Sequence, residues 1–332
     1  IYTKVKKKYK NKKLVLLNNI ENIQKYIKKI DVTVSAIPGI AGLKPTILFT
    51  KISKKILIAN KEAIICGWHL IKKDAIRHKT ELISIDSEHF SINTLLKNFP
   101  NKKIEKIYIT ASGGPFLKLN YNKFKNIKPK DATKHPKWKM GKKISVDSAT
   151  LMNKVLEITE ALKLFPFNLK KYEIVIHPDS LIHAIIKINN GTSIYLHHVP
   201  DMKIPIANAL LENFNYNIFS NKKNKSLNKI QNLNFMPVDK KRFPSVNLIP
   251  DMNRGKSSAI IINAANEIFV DEFLKKNISF AAIVSYLKLV LKDKNYIKTS
   301  NLTTYSVKNI YTIDSWARSV ALKIIKKKKN NA

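Results

Sequence analysis

Short apolar runs alternate with polar, helix-forming stretches through the first ninety residues. Aliphatic or β-branched runs at residues 31–37 (DVTVSAI), 55–59 (KILIA) and 81–86 (ELISID) predict buried strands. A run at 13–17 predicts a further strand, and residues 21–30 predict a helix. Strands and helices in alternation favour a parallel sheet of the doubly wound α/β class.

A second group of strands and a helical end follow. Residues 106–109 (KIYI) predict a strand that runs into TASGGPF, and the stretches 173–178, 181–188 and 193–199 predict three more. From residue 254 onward, apolar residues recur every three or four positions, which predicts a helical part. Residues 213–245 are rich in Asn and Lys and predict a linker.

The helical pattern after Asp147 carries polar residues that an ordinary helix does not need. We expect Ser148 to cap this helix, so that Ser148, Asn153 and Lys154 lie near a helix N-terminus, where anions bind. Glu157 would point the same way as Lys154. The apolar stripe comprises Leu151, Met152, Val155, Leu156, Thr159 and Leu162. The alternative is a surface helix with a capping Ser and a weak Lys–Glu pair.

The segment before this helix favours a functional site. HPKWKMGKK (135–143) places a His, a Trp and a Met in a basic loop marked by Pro and Gly. That composition is typical of a mobile flap.

Two carboxylates, Asp86 and Glu88, end the third predicted strand. In an extended chain they would project from one face, at the carboxyl end of a strand, where open α/β sheets bind ligands. Such a pair either raises a pKa or holds a hard cation. The alternative is a polar loop with Asp86 as a helix cap. Four histidines that lack HxH or HExxH spacing are predicted to be satisfied structural residues: His177, His183, His197 and His198.

Charge alone gives little information about function. The net charge is +38, which permits binding to nucleic acid or to an anionic membrane. Only four of the 61 basic residues are Arg, and the lysines spread over strands and loops alike. We therefore favour drift in an AT-rich coding genome over a selected phosphate-reading face.

Other global features restrict the class of protein. The single cysteine, Cys66, excludes an intrachain disulfide and fits a reducing compartment. No apolar run reaches the ~18 residues that a membrane span needs. No signal-peptide pattern opens the chain. Because the first residue is Ile1 and not Met, we expect the sequence to begin inside a longer chain.

Seven motifs, taken in order, resemble those of the 1-deoxy-D-xylulose 5-phosphate reductoisomerases of the non-mevalonate isoprenoid route. The motifs are IANKE (58–62), IDSEH (85–89), TASGGPF (110–116), HPKWKMGKKISVDSATLMNK (135–154), HPDSLIH (177–183), PDMKIPI (200–206) and NAANEI (263–268). Each motif alone is weak, but seven in the family's order cover nearly the whole chain.

The resemblance implies both architecture and activity. It implies a partial doubly wound, Rossmann-like NADPH domain at 1–86 and an α/β catalytic domain with a flexible flap at 87–212. A linker at 213–245 and a C-terminal helical bundle at 246–332 would follow. The implied reaction is the reductive isomerisation of 1-deoxy-D-xylulose 5-phosphate to 2-C-methyl-D-erythritol 4-phosphate, with NADPH and Mn²⁺, Mg²⁺ or Co²⁺.

The resemblance also implies a role for individual residues. The implied metal ligands are Asp86, Glu88 and Glu157, and the implied catalytic residues are Lys61, Glu88 and His135. The implied substrate contacts are Ser87, Glu88, Ser112, His135, Trp138, Ser148, Asn153, Lys154 and Glu157. The implied cofactor contacts are Ala36, Ile37, Gly39, Asn60, Lys61, Glu62, Met140, Gly141 and Met202. Three carboxylates suit a hard ion and leave positions for substrate oxygens.

Two features depart from the family's pattern. The Gly-rich turn that holds the NADPH phosphates is absent from residues 1–332, so we expect residues 1–332 alone to bind NADPH poorly. Val155 stands where the family usually has Gly, and its β-branch could narrow the pocket.

A second hypothesis is a catalytically decayed, basic protein that associates with nucleic acid. For the favoured enzyme we expect a small phosphosugar substrate, a homodimer, and neither nucleic-acid nor membrane partners. We expect it in the cytoplasm of a bacterium with an AT-rich genome or in a plastid-like organelle.

Overall fold

The N-terminal part of the chain folds around a small parallel sheet. The structure, a computed structural model, describes residues 17, 19–99, 103–138, 140–211 and 233–330. The strands are β1 (Ile30–Ser35), β2 (Ser53–Ile58) and β3 (Glu81–Ser84), in the order β1-β2-β3. Helices α1 (Leu43–Thr50) and α2 (Lys61–His78) connect them. The predicted parallel βα units are confirmed.

Two predictions near the N-terminus had other outcomes. The strand predicted at 13–17 lies outside the described residues except for Leu17. The helix predicted at 21–30 is wrong in length, because it is a short 3-10 helix, Ile20–Lys25. Ile30 already pairs with Ser53 in the sheet, so residues 26–29 connect the 3-10 helix to β1.

A second, mixed sheet has the strand order β7-β6-β4-β5-β8. Its strands are β4 (Ile104–Ala111), β5 (Tyr172–Ile176), β6 (Ile182–Ile188), β7 (Ser193–His197) and β8 (Met236–Pro237). β4 is parallel to β5 and antiparallel to β6. β8 falls inside the predicted linker, which is therefore wrong for that part, because Val175 and Ile176 pair with Pro237 and Met236.

Helices cover the two sheets and form the C-terminal part. The remaining helices are α3 (Ser87–Asn98), α4 (Pro129–Ala132), α5 (Lys142–Ala149), α6 (Met152–Leu164), α7 (Lys203–Leu211), α8 (Ile249–Met252), α9 (Ser258–Leu274), α10 (Phe280–Val290), α11 (Tyr296–Ser300) and α12 (Val307–Asn330). Within the described residues, four further 3-10 helices are Ile40–Gly42, Tyr121–Asn126, Leu169–Lys171 and Pro244–Leu248. Within these described ranges, no helix is long and apolar enough to cross a membrane.

The helix expected to begin at Ser148 is two helices. α5 ends at Ala149, Leu151 has a left-handed conformation (φ 59°, ψ 11°), and α6 begins at Met152. Ser148 therefore lies in the last turn of α5 and does not cap α6, so that prediction is wrong. The Leu151 side chain is buried against Ile158, Ala111 and their neighbours, and this packing offsets the cost of its backbone conformation.

One apolar core joins the N-terminal helices to the C-terminal ones. It contains Leu43 and Ile64, Val155 of α6, Phe269 of α9 and Ile313 of α12. α6 buries its apolar stripe in this core and in the neighbouring cluster around β4 and β5. The surface-helix alternative for α6 is therefore wrong, because Lys154, Glu157 and Glu160 are buried as well.

Candidate active site

A cavity of about 230 Å³ lies where the carboxyl ends of β2, β3 and β4 approach α6. Every residue predicted to bind metal or substrate lines it. The lining residues are Ala59, Lys61, Asp86, Ser87, Glu88, Thr110, Ser112, His135, Trp138, Met140, Ile144, Ser148, Asn153, Lys154, Glu157, Ser180, His183 and Met202.

Three carboxylates converge on one side of this cavity. Asp86, Glu88 and Glu157 each offer an oxygen, and these three oxygens lie within 4.8 Å of one another. The expected extended geometry of Asp86 and Glu88 is wrong, because α3 begins at Ser87 and Asp86 caps it by accepting from Ser87 N (3.1 Å). The helical turn brings the two side chains together, and α6 adds Glu157. Three clustered oxygen donors are the ligand set that Mg²⁺ or Mn²⁺ prefers.

Two buried lysines neutralise these carboxylates. Lys61 Nζ lies 2.6 Å from Asp86 Oδ2 and 3.2 Å from Glu157 Oε1, and it donates to Asn153 Oδ1 (2.9 Å). Lys154 Nζ lies 2.7 Å from Glu157 Oε2 and also contacts Glu88. A buried charge is stable only when it is paired, so the two ammonium groups and the three carboxylates depend on one another.

Burial and neighbouring charges shift the pKa values in this cluster in opposite directions. Burial alone would raise the pKa of Glu88, but the ammonium of Lys154 holds it well below its usual range. The pKa of Glu157 is raised, first by burial and then by the charge of Glu88. The pKa of Lys154 is raised although burial opposes it, because Glu157 and Glu88 stabilise the ammonium. The surroundings therefore favour the anionic form of Glu88 and disfavour that of Glu157.

A second group of possible ligands lies behind the first. Asp86, His89 and Glu160 also bring their ligand atoms within 4.8 Å of one another. His89 Nε2 is 3.0 Å from the Glu157 carbonyl, and a carbonyl only accepts, so this nitrogen carries a proton. His89 and Glu160 are buried and do not line the cavity, so substrate oxygens could not reach an ion there. The group that contains Glu88 and Glu157 therefore fits a catalytic ion.

Another part of the cavity lining carries hydroxyls and an imidazole. Gly113 (φ 81°) and Gly114 (φ 63°) turn the chain after β4, and Gly114 packs against Ala149, which places Ser112 beside the end of α5. His135 Nδ1 accepts from the Trp138 main-chain N–H (2.9 Å), so Nε2 carries the proton and donates to Ser112 Oγ (3.0 Å). Gly114 N also donates to Ser112 Oγ, which leaves the hydroxyl proton for an oxygen in the cavity.

The predicted flap borders the cavity through His135, Trp138 and Met140. Trp138 packs edge-on against His183, with ring centroids 6.0 Å apart. Lys139 lies outside the described residues. The mobility of this segment stays a prediction.

Six of the predicted cofactor residues lie outside the cavity lining, on the side of β1 and the first turns of α2 and α5. They are Ala36, Ile37, Gly39, Asn60, Glu62 and Gly141. Asn60 caps α2 and donates to the carbonyls of Ile37 and Gly39 (2.9 Å for Gly39). Gly39 has φ 71°, which favours glycine, and Ile37 is 42% exposed. An open turn with fixed carbonyls and an exposed apolar side chain fits one edge of a dinucleotide.

Sequence reasoning missed several lining residues. Thr110, Ser180 and His183 line the cavity but were given no role. The expectation that His177, His183, His197 and His198 are satisfied structural residues is wrong, because the buried Nε2 of each has no hydrogen-bond partner. Burial, then His198 and Lys154, lower the pKa of His183 to about 3. The motif HPDSLIH contained the signal for Ser180 and His183.

The expected narrowing of the pocket by Val155 is also wrong. Val155 is fully buried in the large core and does not line the cavity. On α6 it lies between Lys154 and Leu156, and the cavity receives Lys154.

Comparison with known proteins gives a consistent result along the chain. A family model described as 1-deoxy-D-xylulose 5-phosphate reductoisomerase matches residues 2–67. Two models for the C-terminal domains of the same reductoisomerase match residues 82–165 and 198–320.

Similar relatives and solved structures carry the same description. The chain is 44% identical over 319 residues to the 1-deoxy-D-xylulose 5-phosphate reductoisomerase of Pelagibacter ubique, covering 95% of this chain and 81% of the relative. It is 41% identical to that of a Wolbachia pipientis strain, covering 90% and 75%. A DOX-P reductoisomerase in complex with NADPH, fosmidomycin and magnesium superposes with a TM-score of 0.88 at 32% identity, covering 99% and 85%. The Zymomonas mobilis enzyme with NADPH has a TM-score of 0.84 at 31% identity, covering 98% and 83%.

Proposed function

The chain belongs to the 1-deoxy-D-xylulose 5-phosphate reductoisomerase family, and from this premise we propose which of its residues carry the reaction. The protein converts 1-deoxy-D-xylulose 5-phosphate to 2-C-methyl-D-erythritol 4-phosphate and depends on NADPH and a divalent metal ion. The comparisons give no support to the alternative of a decayed, nucleic-acid-associated protein. The observation that carries the assignment of residues is the convergence of Asp86, Glu88 and Glu157 beside two buried lysines.

We assign the metal to Asp86, Glu88 and Glu157. A bound divalent ion supplies a Lewis acid that polarises the substrate carbonyl. The chain's own part is to hold three anionic oxygens at one place, since Ser87 Oγ donates to Glu88 Oε2 (2.8 Å) and Asn153 donates to Glu157. These hydrogen bonds fix the carboxylate orientations before an ion binds.

We assign the substrate phosphate to the hydroxyl side of the cavity. Ser112 has a free hydroxyl proton, and Ser148, Asn153 and Lys154 also line the cavity. Lys154 contributes a positive charge whose present partners are Glu88 and Glu157, so the ammonium that would bind the phosphate also contacts the metal ligands. Holding the phosphate there keeps the two substrate fragments aligned while carbon–carbon bonds are rearranged.

Lys61 and His135 are proposed to act on the substrate oxygens. Lys61 reaches Asp86, Asn153 and Glu157 from the first turn of α2, so it can donate to an oxygen that develops negative charge next to the metal ligands. His135 holds its Nε2 proton toward Ser112. Trp138 and Met140, which border the cavity from the flap, would exclude water.

We assign the cofactor to the side of Gly39 and Asn60. NADPH supplies the hydride that reduces the rearranged carbonyl. Met140 and Met202 line the cavity, and their polarisable side chains can pack against the nicotinamide ring. Glu62 and Gly141 adjoin the same side, at the first turn of α2 and the N-terminus of α5.

We further propose the division of the chain into a cofactor part (1–86), a catalytic part (87–212) and a helical part (246–332), and a homodimeric assembly. The edge strand β7 exposes Tyr195 (47%), and within the described sheet it pairs on one side only. An edge of this kind can pair with another chain. Sedimentation velocity tests the dimer, and a single species at monomer mass would contradict it.

The decisive experiment is turnover by the full-length protein. We expect NADPH oxidation that requires both 1-deoxy-D-xylulose 5-phosphate and Mn²⁺ and that chelation abolishes. Glu88→Gln should remove activity, whereas Lys187→Ala, which breaks an exposed pair with Glu105, should leave it unchanged. Full activity in Glu88→Gln would show that the carboxylate cluster is not the metal site.

A further inference from the structure

The NAANEI segment of α9 has no role in the proposed reaction, yet it buries polar side chains inside a helix packed in the apolar core. Asn263 and Asn266 are fully buried, and each leaves its Oδ1 without a hydrogen-bond partner. Glu267 follows directly, with its carboxylate mostly covered. Burying a polar group costs free energy unless the group is hydrogen-bonded, so these unpaired oxygens need an explanation.

Glu267 is held against the cofactor turn. Its Oε1 lies 3.3 Å from the position that a Cβ on Gly39 would occupy, so the carboxylate fills the space under this glycine. Arg318 of α12 donates to the other oxygen, and Asn263 donates to Oε1 (3.3 Å). Asp314 fixes the guanidinium in turn, by accepting from Arg318 Nε (2.7 Å) and Nη2 (3.2 Å). Two C-terminal helices thus clamp one carboxylate beneath the β1–α1 turn.

Asn266 connects the same segment to the helix that follows the flap. Its Nδ2 donates to Asp147 Oδ1 of α5 (2.8 Å). The other oxygen of Asp147 pairs with Lys143 (3.1 Å), and Lys143 also pairs with Glu62 of α2 (2.8 Å). The chain of contacts therefore runs from α9 through α5 to the first turn of α2.

Both branches end on residues that we assign to the cofactor, and neither ends on a metal ligand. Gly39 and Glu62 are the endpoints, whereas Asp86, Glu88 and Glu157 take their contacts from Lys61, Lys154, Ser87 and Asn153. Losing the clamp should therefore affect the cofactor more than the metal or the phosphate.

We propose that Glu267, Arg318 and Asn266 are positioning residues that set the cofactor turn and the post-flap helix at a fixed distance from each other. This inference rests on the proposed function, because it takes Gly39 and Glu62 as cofactor residues. Hydride transfer needs donor and acceptor carbon atoms in a narrow range of distance and angle, so a small shift of the turn lowers both affinity and rate. The C-terminal helices thereby contribute to catalysis without touching a reacting atom.

The test compares three variants of the full-length enzyme in steady-state kinetics with Mn²⁺. Glu267→Ala should raise the KM for NADPH at least tenfold and leave the KM for 1-deoxy-D-xylulose 5-phosphate and the Mn²⁺ requirement within twofold. Glu267→Gln, which still accepts from Arg318, should recover most of the loss. Lys275→Ala is the matched control, because Lys275 lies just past α9 in exposed pairs with Asp271 and Glu272.

A fourth variant, Arg318→Met, and a direct binding measurement keep the inference falsifiable. Arg318→Met removes the guanidinium that holds Glu267. Because the Arg318 side chain is 28% exposed, this variant should fold even if Glu267→Ala does not. It should weaken NADPH binding in the same way. NADPH dissociation constants from fluorescence titration should follow the KM values. An unchanged NADPH KM in folded Glu267→Ala and Arg318→Met would overturn the inference. The inference would also be overturned if the variants lost affinity for NADPH, substrate and Mn²⁺ equally, in proportion to a decrease in Tm, and if Glu267→Gln recovered none of that loss. A wild-type enzyme without turnover would instead contradict the proposed function.

Discussion

The ammonium of Lys61 lies 2.6 Å from Oδ2 of Asp86, and this contact joins the first turn of α2 to the residue that caps α3. Two neighbouring βα units of the parallel sheet thus meet at their carboxyl ends through one ion pair. Lys61 also lies 3.2 Å from Glu157 Oε1, so α6 is tied to the same point. Because all three groups are largely buried, each depends on the others for compensation of its charge.

Glu157→Gln should reduce turnover far more than stability. The change keeps the side-chain shape and helix propensity but removes one anionic ligand of three. The neutral amide loses the pairing with Lys61 and Lys154 but also relieves the burial cost and the repulsion by Glu88 that raise the pKa of Glu157, so the two effects on stability oppose each other. We expect Mn²⁺ affinity to fall by at least ~10²-fold, because the loss of a contact that only supports a ligand already costs about 10- to 100-fold. Calorimetric titration with Mn²⁺ and urea unfolding check it, and parallel losses of stability and activity would indicate a structural role.

Lys154→Met should weaken substrate binding, because the variant loses the ammonium that we assign to the substrate phosphate. A charged hydrogen bond contributes ~1.5–3 kcal/mol, which corresponds to a KM increase of about 10- to 150-fold. The exposed Lys163, on the same helix, provides the control variant Lys163→Met. Steady-state kinetics at saturating Mn²⁺ measure both. An equal KM for Lys154→Met and wild type would move the phosphate site elsewhere.

His135 should stay neutral well below the usual titration range of histidine. Burial, with a contribution from Lys154, lowers its pKa to about 4 from the ordinary value of 6.5. The unfolded chain therefore binds a proton between pH 6.5 and 4 that the folded chain does not, so stability falls as pH falls through that window. The difference between the unfolding free energies of wild type and His135→Gln should be constant above pH 7 and should change in disfavour of the wild type as pH falls from 6.5 to 4. An NMR titration of the imidazole with a midpoint near 6.5 would contradict this.

Val155→Gly should cost stability and leave the site unchanged. The valine is fully buried in the core, so its loss combines a cavity with the helix cost of glycine, together about 2–4 kcal/mol. Since Val155 does not line the cavity, the KM for substrate and the Mn²⁺ affinity should stay within twofold. Urea unfolding and kinetics together decide it, and a large change in KM at constant stability would restore a role in shaping the pocket.

Lys79→Gly should stabilise the protein. Lys79 ends α2 in the left-handed conformation (φ 56°, ψ 39°) with its side chain exposed, a position that glycine occupies at little cost. We expect a gain of about 0.5–1 kcal/mol in the free energy of unfolding. Lys79→Ala serves as the control and should be neutral, and equal effects of the two substitutions would show that backbone strain is absent there.

The sequence alone determined the parallel βα units and most of the cavity's residues. The strand at 55–59 was predictable because β2 is the central strand of the described parallel sheet, is buried on both faces and reads as a continuous apolar run. The strand at 31–37 was predictable from its β-branched residues, although β1 lies at the edge of that sheet and is only partly buried. The motifs that resemble the family named Lys61, Asp86, Glu88 and Glu157, which the structure brings together although 96 residues separate Lys61 from Glu157. Residue type and order in the chain carry this information.

Tertiary structure decided what local pattern could not. Ser148 looks like a helix cap from its neighbours, but Leu151 breaks the helix because its side chain is drawn into the core around β4 and β5. His183 looks like a structural histidine until Trp138, His198 and Lys154 surround it. The contact between Glu267 and Gly39 joins residues far apart in sequence, and only the packing of α9 and α12 on the N-terminal helices creates it. Such contacts depend on packing between segments that are distant in sequence. Neither the two-residue period of a strand nor the 3.6-residue period of a helix predicts that packing.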